Sequence, residues 1–257
     1  MGLVLVIPLL VFYEVGTFAD FRNGGVSGEV RNGADAWLRS WCATLGAAGH
    51  VAPPIALVAW LGLSAARRWD SRPEHLVSTM LGMVIESLAL ALILWLFSRL
   101  WPDLLRHYGW ELGLKSPEAG PVNSGTFRQA LPLVGAGIYE EFLFRLVAIC
   151  LLASVLSSIG VGAWTGFCLS ALFSAWLFAA AHHWGMASQP YDPKVFSFRF
   201  VAGLVFAAVV TGRGFGVAVG GHTFYNLMVG LPGSWQTNSK LNLSLHYQAH
   251  LYHTHQQ

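Results

Sequence analysis

The stretch GIYEEFLFRL, residues 137–146, decides how this chain is read. It lies inside RQALPLVGAGIYEEFLFRLVAICLLASV (128–155), a run with the length and apolar character of a membrane span. A spanning helix needs about twenty mostly apolar residues. Into that run the sequence sets Glu140, Glu141 and Arg145. A charged side chain at the centre of a bilayer helix costs about 2.5–3.5 kcal/mol even on the lenient insertion scale, so three of them need a compensating reason. Glu141 and Arg145 are four apart, share a helix face and can pair. Glu140 is turned from Glu141 by about 100° and is left over. A structural ion pair accounts for two of the charges; the third asks for partners elsewhere.

The rest of the chain has the composition that such a span requires. Of 257 residues, 54% are hydrophobic and only 11% charged, against about 25% charged in a soluble domain. Mean hydropathy is +0.52. The expectation is an all-α, polytopic transmembrane bundle of about seven spans, within a range of six to eight, with its site inside the bundle. The spans are expected at 2–18, 45–66, 78–99, 128–155, 162–183, 198–212 and 214–232. The last two are short and divided only by the Arg213 region, so one of them reads as tilted, broken or re-entrant. Polar connections fall at 19–44, 67–77, 100–127 and 184–197, with an interfacial turn expected near Trp110. The first span has no Lys or Arg before Arg22. It therefore lacks the basic start of a signal peptide and reads as an ordinary span. The net charge of +2, scattered through loops, gives no footprint for nucleic acid.

Partners for Glu140 lie further along. The fifth span ends in FAAAHHWG, with His182 and His183, and the seventh carries GGHTFYNLMVG, with His222 and Asn226 four apart on one face. Polar groups from three spans avoid lipid only by converging on the interior. The chemistry such a set supports is specific. Glu140 can take a proton from water, and His182 can orient that water. His222 and the Asn226 amide are suited to hold the oxyanion of a tetrahedral intermediate. Together these describe peptide hydrolysis within a membrane.

At these residues the chain resembles the CPBP intramembrane proteases, which include the type II CAAX prenyl endopeptidases and the Abi bacteriocin-immunity proteins. Their pattern is EExxxR, FxxxH and HxxxN on successive membrane helices; here it is met by Glu140, Glu141 and Arg145, by Phe178 and His182, and by His222 and Asn226. The resemblance implies a glutamate-dependent endopeptidase. In it Glu140 and His182 activate water, His222 and Asn226 hold the oxyanion, and Glu141 with Arg145 supports the site. Its substrate would be a membrane-embedded or membrane-anchored protein or peptide. The FxxxH spacing selects His182 over His183. The family is often labelled a metalloprotease. Zinc, held by Glu140, His182 and His222, is therefore the alternative to a cofactor-free site, although no HExxH pair is present to favour it. The resemblance covers 128–232; residues 1–127 carry no recognised motif, and 233–257 form a polar tail.

Competing signals point less far. GVSG at 25–28 imitates a rhomboid protease motif but sits in a charged loop and reads as a turn. Cys42, Cys150 and Cys168 have no metal-ligand spacing and read as small hydrophobes. His246, His250, His253 and His255 read as a frayed terminus before a metal site. Asn242 begins a short glycosylation-like triplet of the kind that arises by chance. Glu86 reads either as a bundle hydrogen bond or as part of a proton or substrate path. Two functional alternatives stay open: a transporter or ion-conducting protein using the carboxylates as a relay, and a catalytically inactive immunity or scaffold protein of the same fold. The chain is expected in the membrane as a multi-pass protein, the cell membrane if bacterial.

Overall fold

Among the residues the computed structural model describes (2–23, 31–67, 69, 74–108, 126–184 and 190–231), every regular element is helical. In chain order these are α1 (Gly2–Arg22), α2 (Gly33–Cys42), α3 (Ala52–Arg67), α4 (Leu76–His107), α5 (Thr126–Glu141), a π-helical stretch (Phe142–Ala148), α6 (Ile149–Ser158), α7 (Ala163–Ala181) and α8 (Pro193–Gly212), with α9 over 215–231. Among the described residues, six segments are long and apolar enough to cross a membrane: Gly2–Arg22, Gly49–Arg67, Leu76–His107, Thr126–Ser158, Ala163–Ala181 and Pro193–Gly212. The expected seventh span corresponds to α9, which follows a break at Gly214, where φ is +100°.

Two spans are longer than their apolar runs. α4 continues past residue 99 to His107, passing through Pro102, because charges at a helix end cost little and Asp103 and Arg106 pair one turn apart. α8 begins at Pro193, five residues before the expected 198. Asp192 caps it by accepting from the Lys194 N–H (2.8 Å), and Pro193 supplies a pre-set φ at the first position. The 19–44 connection likewise contains a helix. Asn32 caps α2 through its Oδ1, which accepts from the Ala34 N–H at 2.8 Å, and Ala34, Asp35, Leu38 and Arg39 form its buried face.

Helices pack in a membrane where small residues let backbones approach. α1 meets α5 with the Tyr13 ring against Gly135 and Leu131 against Gly16. α5 meets α9 where Gly137 faces Thr223; a Cβ there would stand 2.8 Å from the Thr223 nitrogen and overlap its hydroxyl. α4 meets α9 at Ser87 and Gly220, and α7 meets α8 at Ala175 and Gly203. The largest core cluster, with Tyr13, Val134, Ile138, Tyr139, Phe142, Phe178 and Val219, surrounds the paired glutamates. Helix lengths set their depth. From Ser158 back to Glu140 is about 27 Å at 1.5 Å per residue, and from Ala163 to His182 about 28 Å, so the antiparallel rods bring both side chains to one level.

Candidate active site

Glu140 and Glu141 close α5, and the next turn is π-helical. π turns inside α-helices are rare and widen the helix locally, often at functional sites. Here the wide turn carries Arg145, whose Nε approaches Glu141 Oε2 to 3.3 Å with both side chains fully buried. The Nη1 of Arg145 donates to Ser174 Oγ (3.4 Å), and its guanidinium lies over the Phe178 ring, 4.9 Å from the centroid. The expected pair therefore forms, and it is tied to α7 as well.

His222 joins the two carboxylates. Its Nδ1 lies 2.8 Å from Glu141 Oε1, and a carboxylate only accepts, so Nδ1 carries a proton. Its Nε2 faces Glu140 Oε2 at 3.7 Å. The ring stacks on Phe206 (centroids 4.7 Å apart, 16° between planes) and stands edge-on to Phe178. The Nδ1 of His182 donates to the Phe178 carbonyl at 2.8 Å, which leaves a lone pair on Nε2, and this atom is 3.9 Å from Glu140 Oε2. One Glu140 oxygen is thus flanked by the Nε2 atoms of two histidines from two other helices. His183 turns away and packs its ring against Phe196 and Tyr191. Asn226, one turn along from His222, donates from Nδ2 to the Leu133 carbonyl (3.3 Å), away from the Glu–His contacts.

A second polar layer, which the sequence did not announce, lies against the first. The Nδ2 of Asn32 donates to Glu140 Oε1 at 3.0 Å. Behind it, Tyr13 donates to Asp35 (2.8 Å), and Asp35 also accepts from Arg31 (2.7 Å) and Arg39 (2.6 Å). Arg39 reaches Glu14 at 2.6 Å, and Glu14 accepts from Tyr139. Burial pulls the Arg39 guanidinium down, but Asp35 and Glu14 outweigh it and hold Arg39 above its ordinary value, so it stays charged. Arg199, on α8, lies within electrostatic reach of Glu140. Its signal was available, being a cation among the phenylalanines of FSFRF. For Asn32 the sequence offered only a helix start, Asn before GADAW.

Other expected features fall elsewhere. Glu86 pairs with Arg213 at the partly exposed junction after α8. Cys42, Cys150 and Cys168 are free thiols. The 25–28 turn, Trp110, Asn242 and the histidines of the tail lie outside the described residues.

Among the described residues no group of three or more His, Cys, Asp or Glu side chains is arranged to hold a metal. His222 Nδ1 is engaged by Glu141 and Glu140 Oε1 by Asn32, which leaves the Nε2 atoms of His182 and His222 facing Glu140 Oε2, 3.9 and 3.7 Å away.

Residues 123–228 match a family model described as Type II CAAX prenyl endopeptidase Rce1-like. No curated protein and no solved structure matches the chain. The matched stretch runs from just before α5 to near the end of α9 and contains both glutamates, both facing histidines, Arg145 and Asn226. Over residues 123–228, this multi-pass integral membrane bundle is similar to the Rce1-like type II CAAX prenyl endopeptidases.

Proposed function

We propose that the chain is an intramembrane endopeptidase that hydrolyses a peptide bond of a membrane-embedded or membrane-anchored protein, using Glu140 to activate water. The observation that carries this is the Glu140 Oε2 atom, 3.9 Å from His182 Nε2 and 3.7 Å from His222 Nε2. Both gaps are too long for a direct hydrogen bond. A water oxygen about 2.8 Å from each of Glu140 Oε2 and His182 Nε2 fits between them. Because both of those atoms accept, the water gives up both hydrogens to them and turns its lone pairs outward, toward a carbonyl carbon.

On attack, Glu140 takes the water proton, the new C–O bond forms and the carbonyl oxygen becomes an oxyanion. His222 can donate to that oxyanion from Nε2 when its ring carries both protons, since the Nδ1 proton is given to Glu141. Asn226 spends one amide hydrogen on Leu133 and has a second to offer. The intermediate collapses as Glu140 returns its proton to the departing amine, which restores the carboxylate. Arg145 balances the charge of Glu141, so that Glu141 can orient His222 without acting as a second base.

No metal is needed for these steps, and a cofactor-free site is part of the proposal. A relay across the membrane would spread its carboxylates along several spans; here Glu140 and Glu141 gather at one level with the two histidines. The test is cleavage of a membrane-anchored reporter by purified wild type and Glu140→Gln. The proposal requires turnover to fall by about 10²–10⁴ in the variant, with unfolding unchanged. Equal rates from the two proteins would remove Glu140 as the base.

A further inference from the structure

The residue that holds the Glu140 carboxylate in its working orientation lies more than a hundred positions away, outside the matched stretch. We propose that Asn32 is a positioning residue for Glu140. Its Nδ2 donates to Glu140 Oε1 at 3.0 Å, while Oε2 of the same carboxylate faces the Nε2 atoms of His182 and His222. A carboxylate is symmetric about its C–C bond and turns freely unless one oxygen is tied. The Asn32 amide ties Oε1 and so presents Oε2 to the histidines.

Asn32 is itself fixed at two points. Its Oδ1 accepts from the Ala34 N–H at 2.8 Å, which determines the end of the amide that points at Glu140. Its backbone N–H donates to the Tyr13 hydroxyl (3.2 Å), and that hydroxyl donates to Asp35 (2.8 Å). Asp35 is fully buried and braced by Arg31 and Arg39. The connected groups run from α1 and α2 to the last turn of α5. The helix cap and the contact to Glu140 therefore use the two ends of one amide, and the first polar connection becomes part of the site.

That double use makes the two roles separable. Asn32→Ser keeps an oxygen for the cap but is too short to reach Glu140. Asn32→Asp keeps the cap and the length but turns an acceptor toward the Glu140 carboxylate. Asn32→Ala loses both. If Asn32 only caps α2, the Ser and Asp variants behave as wild type and Ala alone loses stability. As a positioning residue, Asn32 predicts that both variants stay folded, Ser unfolding close to the wild-type temperature and Asp below it, because its charge faces Glu140. Both lose kcat by about 10²-fold, the scale of a misplaced reacting group, with KM little changed. Asp is the more impaired of the two.

The kinetic arm rests on the proteolytic reading. A spectroscopic arm does not. The carboxylate stretch of Glu140, isolated as the infrared difference between wild type and Glu140→Gln in detergent, is expected to shift in Asn32→Ser as the hydrogen bond is lost. Wild type and Glu140→Gln cleaving the reporter alike would defeat the proteolytic reading and leave the infrared result to decide the contact. An unmoved carboxylate band, or full kcat in both the Ser and Asp variants of an active enzyme, overturns the positioning role.

Discussion

Replacing Arg145 by alanine tests the inner layer of the site most directly. Its side chain and that of Glu141 are both fully excluded from solvent, with Nε and Oε2 3.3 Å apart. Removing one member leaves the other charged and buried, a loss of about 3–5 kcal/mol. The stack over Phe178 at 4.9 Å goes as well, worth about 0.5–2 kcal/mol. One contact works the other way: the His222 Nδ1–H stays 2.8 Å from Glu141 Oε1 and continues to solvate the carboxylate. The net expectation is a loss of about 3–5 kcal/mol, a large share of the 5–15 kcal/mol that holds a domain together. The comparison variant is Glu141→Gln with Arg145→Met. It removes both charges, keeps an oxygen to accept from His222, and fills most of the guanidinium volume with an apolar chain, so most of the stability should return. Activity should not, because the carboxylate that orients the His222 ring is gone. The measurements are unfolding in detergent followed by circular dichroism, and cleavage of one reporter, on wild type and both variants. An Arg145→Ala protein as stable as wild type would refute the coupling and leave Arg145 as a ligand of Ser174 and Phe178 alone.

Three further outcomes are expected. His182→Ala should abolish reporter cleavage while His183→Ala retains most of it, since His183 packs on Phe196 and Tyr191 rather than facing Glu140; the reverse would rotate the end of α7. Gly137→Val should cost several-fold or more in activity and about 1–3 kcal/mol in stability, because its side chain would push Thr223, and with it His222, off α5; wild-type unfolding and rate would place the α5–α9 contact elsewhere. Enzyme purified without added metal should hold no stoichiometric zinc by elemental analysis, and should recover full rate after a strong chelator is applied and removed. One tightly held zinc per chain, lost together with activity, would replace the water-activating role of Glu140 with a ligand role.

The legible part of the site was the part in which cost is visible. Glu140, Glu141 and Arg145 stand out because each is expensive in an apolar run, and the same expense marks His182 and His222. Their spacing then fixes which helix faces meet. Two places in the sequence carry no such mark. In a polar connection a charge costs nothing by itself, so Asp35 and Arg39, buried under α1 and α5, look like the solvated charges around them. Asn32 shares that anonymity, and its contact spans 108 positions, a distance over which no periodicity speaks.

The second such place is the π turn. Sequence spacing puts Glu141 and Arg145 one α-helical turn apart, and the two do approach. The helix is wider there, however, so four residues fall short of a full turn, and Arg145 also reaches Ser174 and the Phe178 ring. A rigid α-helical turn would bind the guanidinium to one carboxylate. The wide turn lets one cation support Glu141 on α5 and the aromatic ring next to both histidines, which couples the first motif of the chain to the second. Nothing in FLFRLVA specifies that widening locally. The contacts the turn makes to Ser174 and Phe178 come from α7 and exist only once the bundle has closed.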